Sequence, residues 1–225
     1  MISARIKKIA NLIEDSGDLA DIGSDHGYLL FELAKNGFSH KLLGIENKNG
    51  PFNALLNEVK NINFAYKCDI NAILSDGIKD LTPNFVNVVI AGMGYSLIKK
   101  IILSNIEKTS FIENFYIDAH TNIEEIRPFF LSIGYDVFNE TMIFEKGIFY
   151  SLIHFKKTKE IQKYNKNELK YGPININRKE ETFVLYLKSK REEFKRIYND
   201  LPENNKKRDE IMIYIKEIEE ILNEN

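Results

Sequence analysis

A single cysteine, Cys68, stands in 225 residues, so no internal disulfide framework is available, and the chain fits a reducing cytoplasm. No Cys/His pairing accompanies it, and it reads as a small core filler rather than a nucleophile. No metal-ligand cluster and no Ser-His-Asp set is recognisable, so neither a bound metal nor a hydrolytic triad is expected. Long apolar runs are missing too. Ile2, Ile6, Ile9 and Ile13 keep helical spacing but are interrupted by Arg5, Lys7 and Lys8, which fits neither a signal peptide nor a membrane span. Charge of one sign is scarce: the formal net charge is −2. It is unevenly spread, with 17 Lys and Arg against 14 Asp and Glu from Lys156 onward. That permits contact between the tail and a polyanion without demanding it. What is present, 44% hydrophobic and 28% charged residues, suits a soluble globular chain of one ordinary domain plus a smaller one.

Short β-like runs alternate with longer helical ones, which predicts an α/β fold, a parallel sheet with helices on both faces. The strands expected are Leu19–Ile22, Lys41–Ile45, Ala72–Leu74, Val86–Ala91, Phe115–Ala119, Tyr135–Glu140 and Tyr150–Phe155, with helices at Tyr28–Lys35, Pro51–Asn61 and Tyr95–Leu103. The last two strands, separated by TMIFEKGI, read as a hairpin that adds an antiparallel member. Residues 1–157 form the expected main domain. Residues 158–225 are expected to be a polar linker, punctuated by Gly172-Pro173, and then a helical hairpin of coiled-coil type. Its apolar stripes are Phe183, Leu187, Phe194, Ile197 and Leu201, then Ile211, Ile215, Ile218 and Leu222. Heptad spacing alone leaves a structural arm and a substrate-gripping arm equally open.

The chemistry concentrates in LADIGSDHGYLL, residues 19–30. A dinucleotide loop needs G-x-G-x-x-G so that backbone can touch a pyrophosphate, and here Asp25 occupies the central glycine position. A carboxylate there suits a cationic ligand instead. Asp21-Ile22-Gly23-Ser24-Asp25-His26-Gly27 resembles the first motif of class I S-adenosylmethionine-dependent methyltransferases, whose ligand carries a sulfonium and an ammonium. Asp21 would meet the ammonium, and Gly23 would turn the chain against the methionine part. A plain turn with Ser24 or Asp25 capping the next helix is the competing reading. Glu46, 23 residues beyond Gly23 and just after the second strand, can accept both ribose hydroxyls. Asp76 after the third strand can accept from the adenine amine while Gly77 gives the ring room. An Asp-Gly pair read alone is a turn. Along the fourth-strand loop, Gly92 and Gly94 leave backbone uncovered where a methyl acceptor should sit, and Met93 offers a pliable wall.

DIGSDHGYL, SDGI and AGMGYSLI, with SARI, KGIFYSLIHF, KYGP and the terminal hairpin, resemble the bacterial tRNA adenine-22 N1-methyltransferase (TrmK) family over nearly the whole chain. Two departures stand out. Tyr95 replaces a glycine, and Asp118-Ala119-His120 replaces a Gln-Pro pair. The resemblance implies a Rossmann-like methyltransferase that transfers a methyl group from S-adenosylmethionine to adenine N1 in tRNA, a cytoplasmic monomer or weak dimer. The cofactor contacts it implies are Asp21, Gly23, Ser24, His26, Glu46, Asn47, Asp76, Gly77, Ala91, Gly92 and Met93. Asp25 is expected to orient the adenine N6 amine or take its proton, with helix capping as the alternative. His26 could assist, although a packed histidine is favoured. Tyr28, Tyr95 and Tyr150 are stacking candidates for a splayed base. Arg5, Lys7, Lys8, Lys188, Lys190, Arg191 and Lys195 are phosphate-contact candidates, or simply a wet helical face. A methyltransferase of another substrate and a non-catalytic RNA-binding protein on the same fold remain the rival readings.

Overall fold

The computed structural model describes residues 2–62 and 66–223. Helix α1 (Ala4–Leu12) begins on Ser3, whose hydroxyl accepts from the Ile6 N–H, and buries Ile9 and Ala10. Then β1 (Asp18–Ile22), α2 (Tyr28–Lys35), β2 (Leu42–Glu46), α3 (Asn49–Ile62), β3 (Ile70–Leu74) and β4 (Phe85–Ala91) follow. They lead to α4 (Tyr95–Leu103), β5 (Asn114–Ala119), α5 (Ile123–Ser132), β6 (Tyr135–Glu145) and β7 (Ile148–Lys157). The strands form one sheet in the order β3-β2-β1-β4-β5-β7-β6. The first five run parallel, and β7 lies antiparallel between β5 and β6. The strand order reverses between β1 and β4, which opens a crevice at their carboxyl ends.

Both faces of the sheet are covered, so its central strands are buried on both sides and mostly apolar instead of alternating with exposed polar residues. Ala20, Ile22, Val88, Ile90, Phe115 and Ile117 pack beneath Ile98 and Ile102 of α4 and Ile126 and Phe130 of α5. Leu19, Val89 and Tyr116 point the other way, against Ile9, Leu30, Leu33, Leu55 and Val59. Each buried aliphatic side chain of this kind stabilises the fold by about 2 kcal/mol.

The TMIFEKGI stretch is corrected: most of it is strand. β6 runs to Glu145, β7 starts at Ile148, and only Lys146 and Gly147 turn, both with positive φ (51° and 83°), as a two-residue hairpin requires. The expected linker is corrected as well. Within it α6 (Lys166–Tyr171) begins with a capping box between Asn165 and Glu168, and α7 (Pro173–Arg178) follows directly after Gly172. The Asn-x-x-Glu spacing was the available sign of that start. Helices α8 (Glu181–Asp200) and α9 (Lys207–Asn223) pair as expected. Phe183, Leu187, Ile218 and Ile221 close over Met142 and Tyr171, which seats one end of the hairpin on the sheet. Ile197, farther along the stripe, stays 39% exposed. No helix among the described residues is long and apolar enough to cross a membrane.

Candidate active site

Asp21 ends β1 almost fully buried, held by the Ser24 hydroxyl, which donates to its Oδ2 at 2.8 Å. Burial, with the Glu46 carboxylate nearby, pushes the Asp21 carboxyl up to about 7, although the Ser24 bond pulls the other way. Gly23 (φ 73°) donates its N–H to the Ile45 carbonyl at 2.8 Å, and a Cβ there would collide with the Met93 methyl group. The β1 and β4 loops therefore touch at Gly23. Asp25 has φ 51°, a left-handed conformation costly for a residue with a side chain. Its N–H donates a short bond to Glu46 Oε1, while its carboxylate stands 75% exposed. The capping alternative is not realised. Helix α2 starts from Gly27 with no side-chain cap, so neither Ser24 nor Asp25 serves that purpose.

Glu46 is buried at the end of β2, and its carbonyl accepts from the Ser75 N–H at 2.9 Å. Among the described residues, no lysine or arginine forms an ion pair with Asp21 or Glu46. Two neighbouring carboxylates without a counter-cation fit a ligand that brings positive charge and hydroxyl donors. Asn47 and Asp76 are exposed on the same edge. Gly77 is buried with φ 60°, and a Cβ on it would meet Ile101 of α4 at 2.8 Å, so its missing side chain also serves helix packing.

The β4 loop is also occupied by protein. A Cβ on Gly92 (φ 72°) would lie 3.0 Å from a terminal nitrogen of Arg5, and one on Gly94 would lie 2.8 Å from Thr121 Oγ1. The bareness of these glycines thus makes room for neighbouring side chains. Arg5 reaches across from α1 and pairs through Nε with Asp118 Oδ2 at 2.8 Å, and its guanidinium lies 4.6 Å from the centre of the Tyr150 ring. Asp118 is 1% exposed, and burial pushes it up to about 6 against the opposing pull of Arg5 and His120. The sequence marks Arg5 as a candidate phosphate contact and Asp118 as a departure from the resembled family, and nothing in it joins two positions so far apart.

Other expectations sort by their surroundings. His26 is half exposed, 3.8 Å from Asp25 and beside the Tyr28 ring, so the packed-histidine reading is corrected. Tyr28 is 51% exposed, free to receive a base, whereas Tyr95 packs edge-on against Phe129 as part of the core. Ala91 and Met93 are half buried beside Gly92. On the hairpin, Lys190, Arg191 and Lys195 pair with Glu193, Glu192 and Glu219, and Lys188 is exposed. Lys8 lies 3.9 Å from Glu180, and Lys7 is exposed. Among the described residues, no group of three or more His, Cys, Asp or Glu side chains is placed to hold a metal ion.

Known proteins resemble this chain in sequence and fold. Residues 19–222 match the family model for TrmK, tRNA (adenine(22)-N(1))-methyltransferase. A Mycoplasma genitalium protein assigned as a tRNA methyltransferase is 33% identical over 181 residues, 78% of this chain and 79% of its own length. The structure of M. capricolum TrmK with S-adenosyl-homocysteine superposes with a TM-score of 0.82 at 28% identity, covering 99% of this chain and 98% of the other. Streptococcus pneumoniae Sp1610 shares the fold at a TM-score of 0.90 and 24% identity, over 99% and 100% of the two chains.

Proposed function

Because the chain belongs to the tRNA (adenine(22)-N(1))-methyltransferase family, we propose that the β1–β2 edge holds S-adenosylmethionine and the β4–β5 edge receives adenine 22 of tRNA. The observation that carries this reading is the pair of buried carboxylates, Asp21 and Glu46, with no cation of the protein's own beside them. Asp21 would take the ammonium and Glu46 the ribose hydroxyls, with Gly23, Ser24, His26, Asn47, Asp76, Gly77, Ala91, Gly92 and Met93 around them. When bound, the cofactor supplies an electrophilic methyl group on a sulfonium. Neutral adenine N1 already carries a lone pair, so the chain's task is to place the base and exclude water. N1 lies on the Watson–Crick edge, so the base enters unpaired or flipped. Tyr28 is exposed where it could stack on the base, and Asp25 presents a carboxylate to its N6 amine. That carboxylate also faces the positive charge the purine acquires as its N1 is alkylated. Residues 1–157 would carry the chemistry and residues 158–225 would contact the RNA, a reaction that belongs in the cytoplasm with its substrate.

An unmodified tRNA transcript with A22 should gain N1-methyladenosine from labelled cofactor, and one with G22 should gain none. Equal labelling of both, or label at another atom, would overturn the assignment.

Asp21 adds a pH signature. In the free protein it holds a proton below about pH 7, while an ammonium partner favours the ionised form, so binding at lower pH must expel that proton. Cofactor affinity should therefore rise by roughly tenfold between pH 6 and pH 7.5. Asp21→Asn should bind weakly and with little pH dependence over that range. A wild-type affinity that stays flat by calorimetry would separate Asp21 from the ammonium.

A further inference from the structure

The β4–β5 edge poses an electrostatic problem that the cofactor side does not. Asp25, Glu46 and Asp76 favour a cationic cofactor but repel the phosphates of an RNA that must bring one nucleotide into the same crevice. Arg5 is the cation built into that crevice. Its Nε faces Asp118, its plane lies on Tyr150, and a terminal nitrogen fills the space left by Gly92. The start of α1 is tied down as well: the Ala4 and Arg5 N–H groups both donate to Glu145 Oε1, at 2.8 and 3.4 Å. The guanidinium is thus held from several sides before any RNA arrives, and its side chain remains 23% exposed. Among the described residues, none of its guanidinium nitrogens makes a hydrogen bond, the Asp118 contact being an ion pair.

Resting on the reading of this edge as the adenine site, we infer that Arg5 grips a backbone phosphate of the target nucleotide, with Asp118 and Tyr150 as its positioning residues. The chemistry of the alternatives favours phosphate. Arginine only donates, so it cannot pair with the adenine N6 amine, which donates too. A donor on N1 would occupy the lone pair that must attack. A phosphate oxygen accepts from the fork formed by the two terminal nitrogens, and the remaining nitrogen stays on Asp118. This acid gives the guanidinium a charged anchor.

The test is steady-state kinetics with the A22 transcript, with tRNA binding measured across salt concentrations and cofactor binding by calorimetry. Arg5→Gln should raise the tRNA KM by about 10- to 100-fold and lower the log–log salt slope of binding by about one, with cofactor affinity unchanged. Arg5→Lys keeps the charge without the fixed plane, so it should retain the salt slope and raise KM by less. Asp118→Asn should raise the tRNA KM with the salt slope retained, because it loosens the cation without removing it. An unchanged KM and slope in Arg5→Gln would overturn the inference while leaving the methyltransferase intact. Equal loss of cofactor affinity and thermal stability in Arg5→Gln and Arg5→Lys would overturn it in favour of a structural role for Arg5. Should the wild type bind cofactor and methylate neither transcript, the failure would lie in the adenine-22 reading and not in Arg5.

Discussion

Asp25→Asn is expected to bind S-adenosylmethionine within about threefold of wild type and to turn over about 100-fold more slowly, the scale of losing one charged partner of the transition state. Asparagine is the informative substitution because it adopts positive φ at least as readily as the aspartate it replaces, so the loop at φ 51° need not move. The Asp25 N–H, which donates to Glu46, is retained as well. Only the negative charge is lost. Asp25→Ala removes the charge and adds roughly 1 kcal/mol of backbone strain, which should loosen the Glu46 contact and weaken cofactor binding too. Single-turnover rates and calorimetry on both variants separate the two effects. Wild-type turnover in Asp25→Asn would reduce Asp25 to a loop-shaping residue, and equal losses in rate and affinity would make it a cofactor ligand.

The acidic carboxyl-end edge of the sheet was legible because its signals are local. Asp21, Glu46 and Asp76 each lie at or just past the end of a strand that can be recognised by its own apolar run, and parallel topology then brings the strand ends to one edge. The hairpin was legible for the same reason, since heptad spacing reports a face. Spacing reports no partner, however. The bare backbone at Gly92 suggested room for the acceptor and Gly77 room for adenine, and spacing could not show that the side each glycine leaves open is packed by Arg5 and by Ile101. The segment between Lys157 and Glu181 looked like a linker because its polar surface hides its anchors, among them Tyr171 in the apolar seat of the hairpin and a buried ion pair supplied by α5 and β6.

Glu140→Ala is expected to cost about 3–5 kcal/mol, the usual loss when one partner of a buried pair is removed, and so to lower Tm by about 10 °C in a chain of this size. Arg127 and Glu140 are 1% and 0% exposed. Arg127 donates through Nε and a terminal nitrogen to Glu140 Oε2, at 3.0 and 2.6 Å, and through its other terminal nitrogen to the carbonyls of Leu169 and Lys170. Glu140 Oε1 accepts from the N–H groups of Ile174 and Asn175, at 2.9 and 3.1 Å, and presses so closely on Gly172 that a Cβ would not fit. The pair thus fastens the end of α6 and the start of α7 to the sheet. Arg127→Met with Glu140→Leu would be close to neutral for an isolated pair, but here it strands four backbone groups. The double variant should therefore recover little stability. In the folded fraction of Glu140→Ala, cofactor affinity should hold while the tRNA KM rises if the hairpin contacts the RNA as proposed, because α8 and α9 lose part of their fixed seat on the sheet. A double variant as stable as wild type would show the backbone contacts to be dispensable. An unchanged tRNA KM in Glu140→Ala would mean that the apolar seat of Phe183, Ile218 and Met142 orients the hairpin by itself.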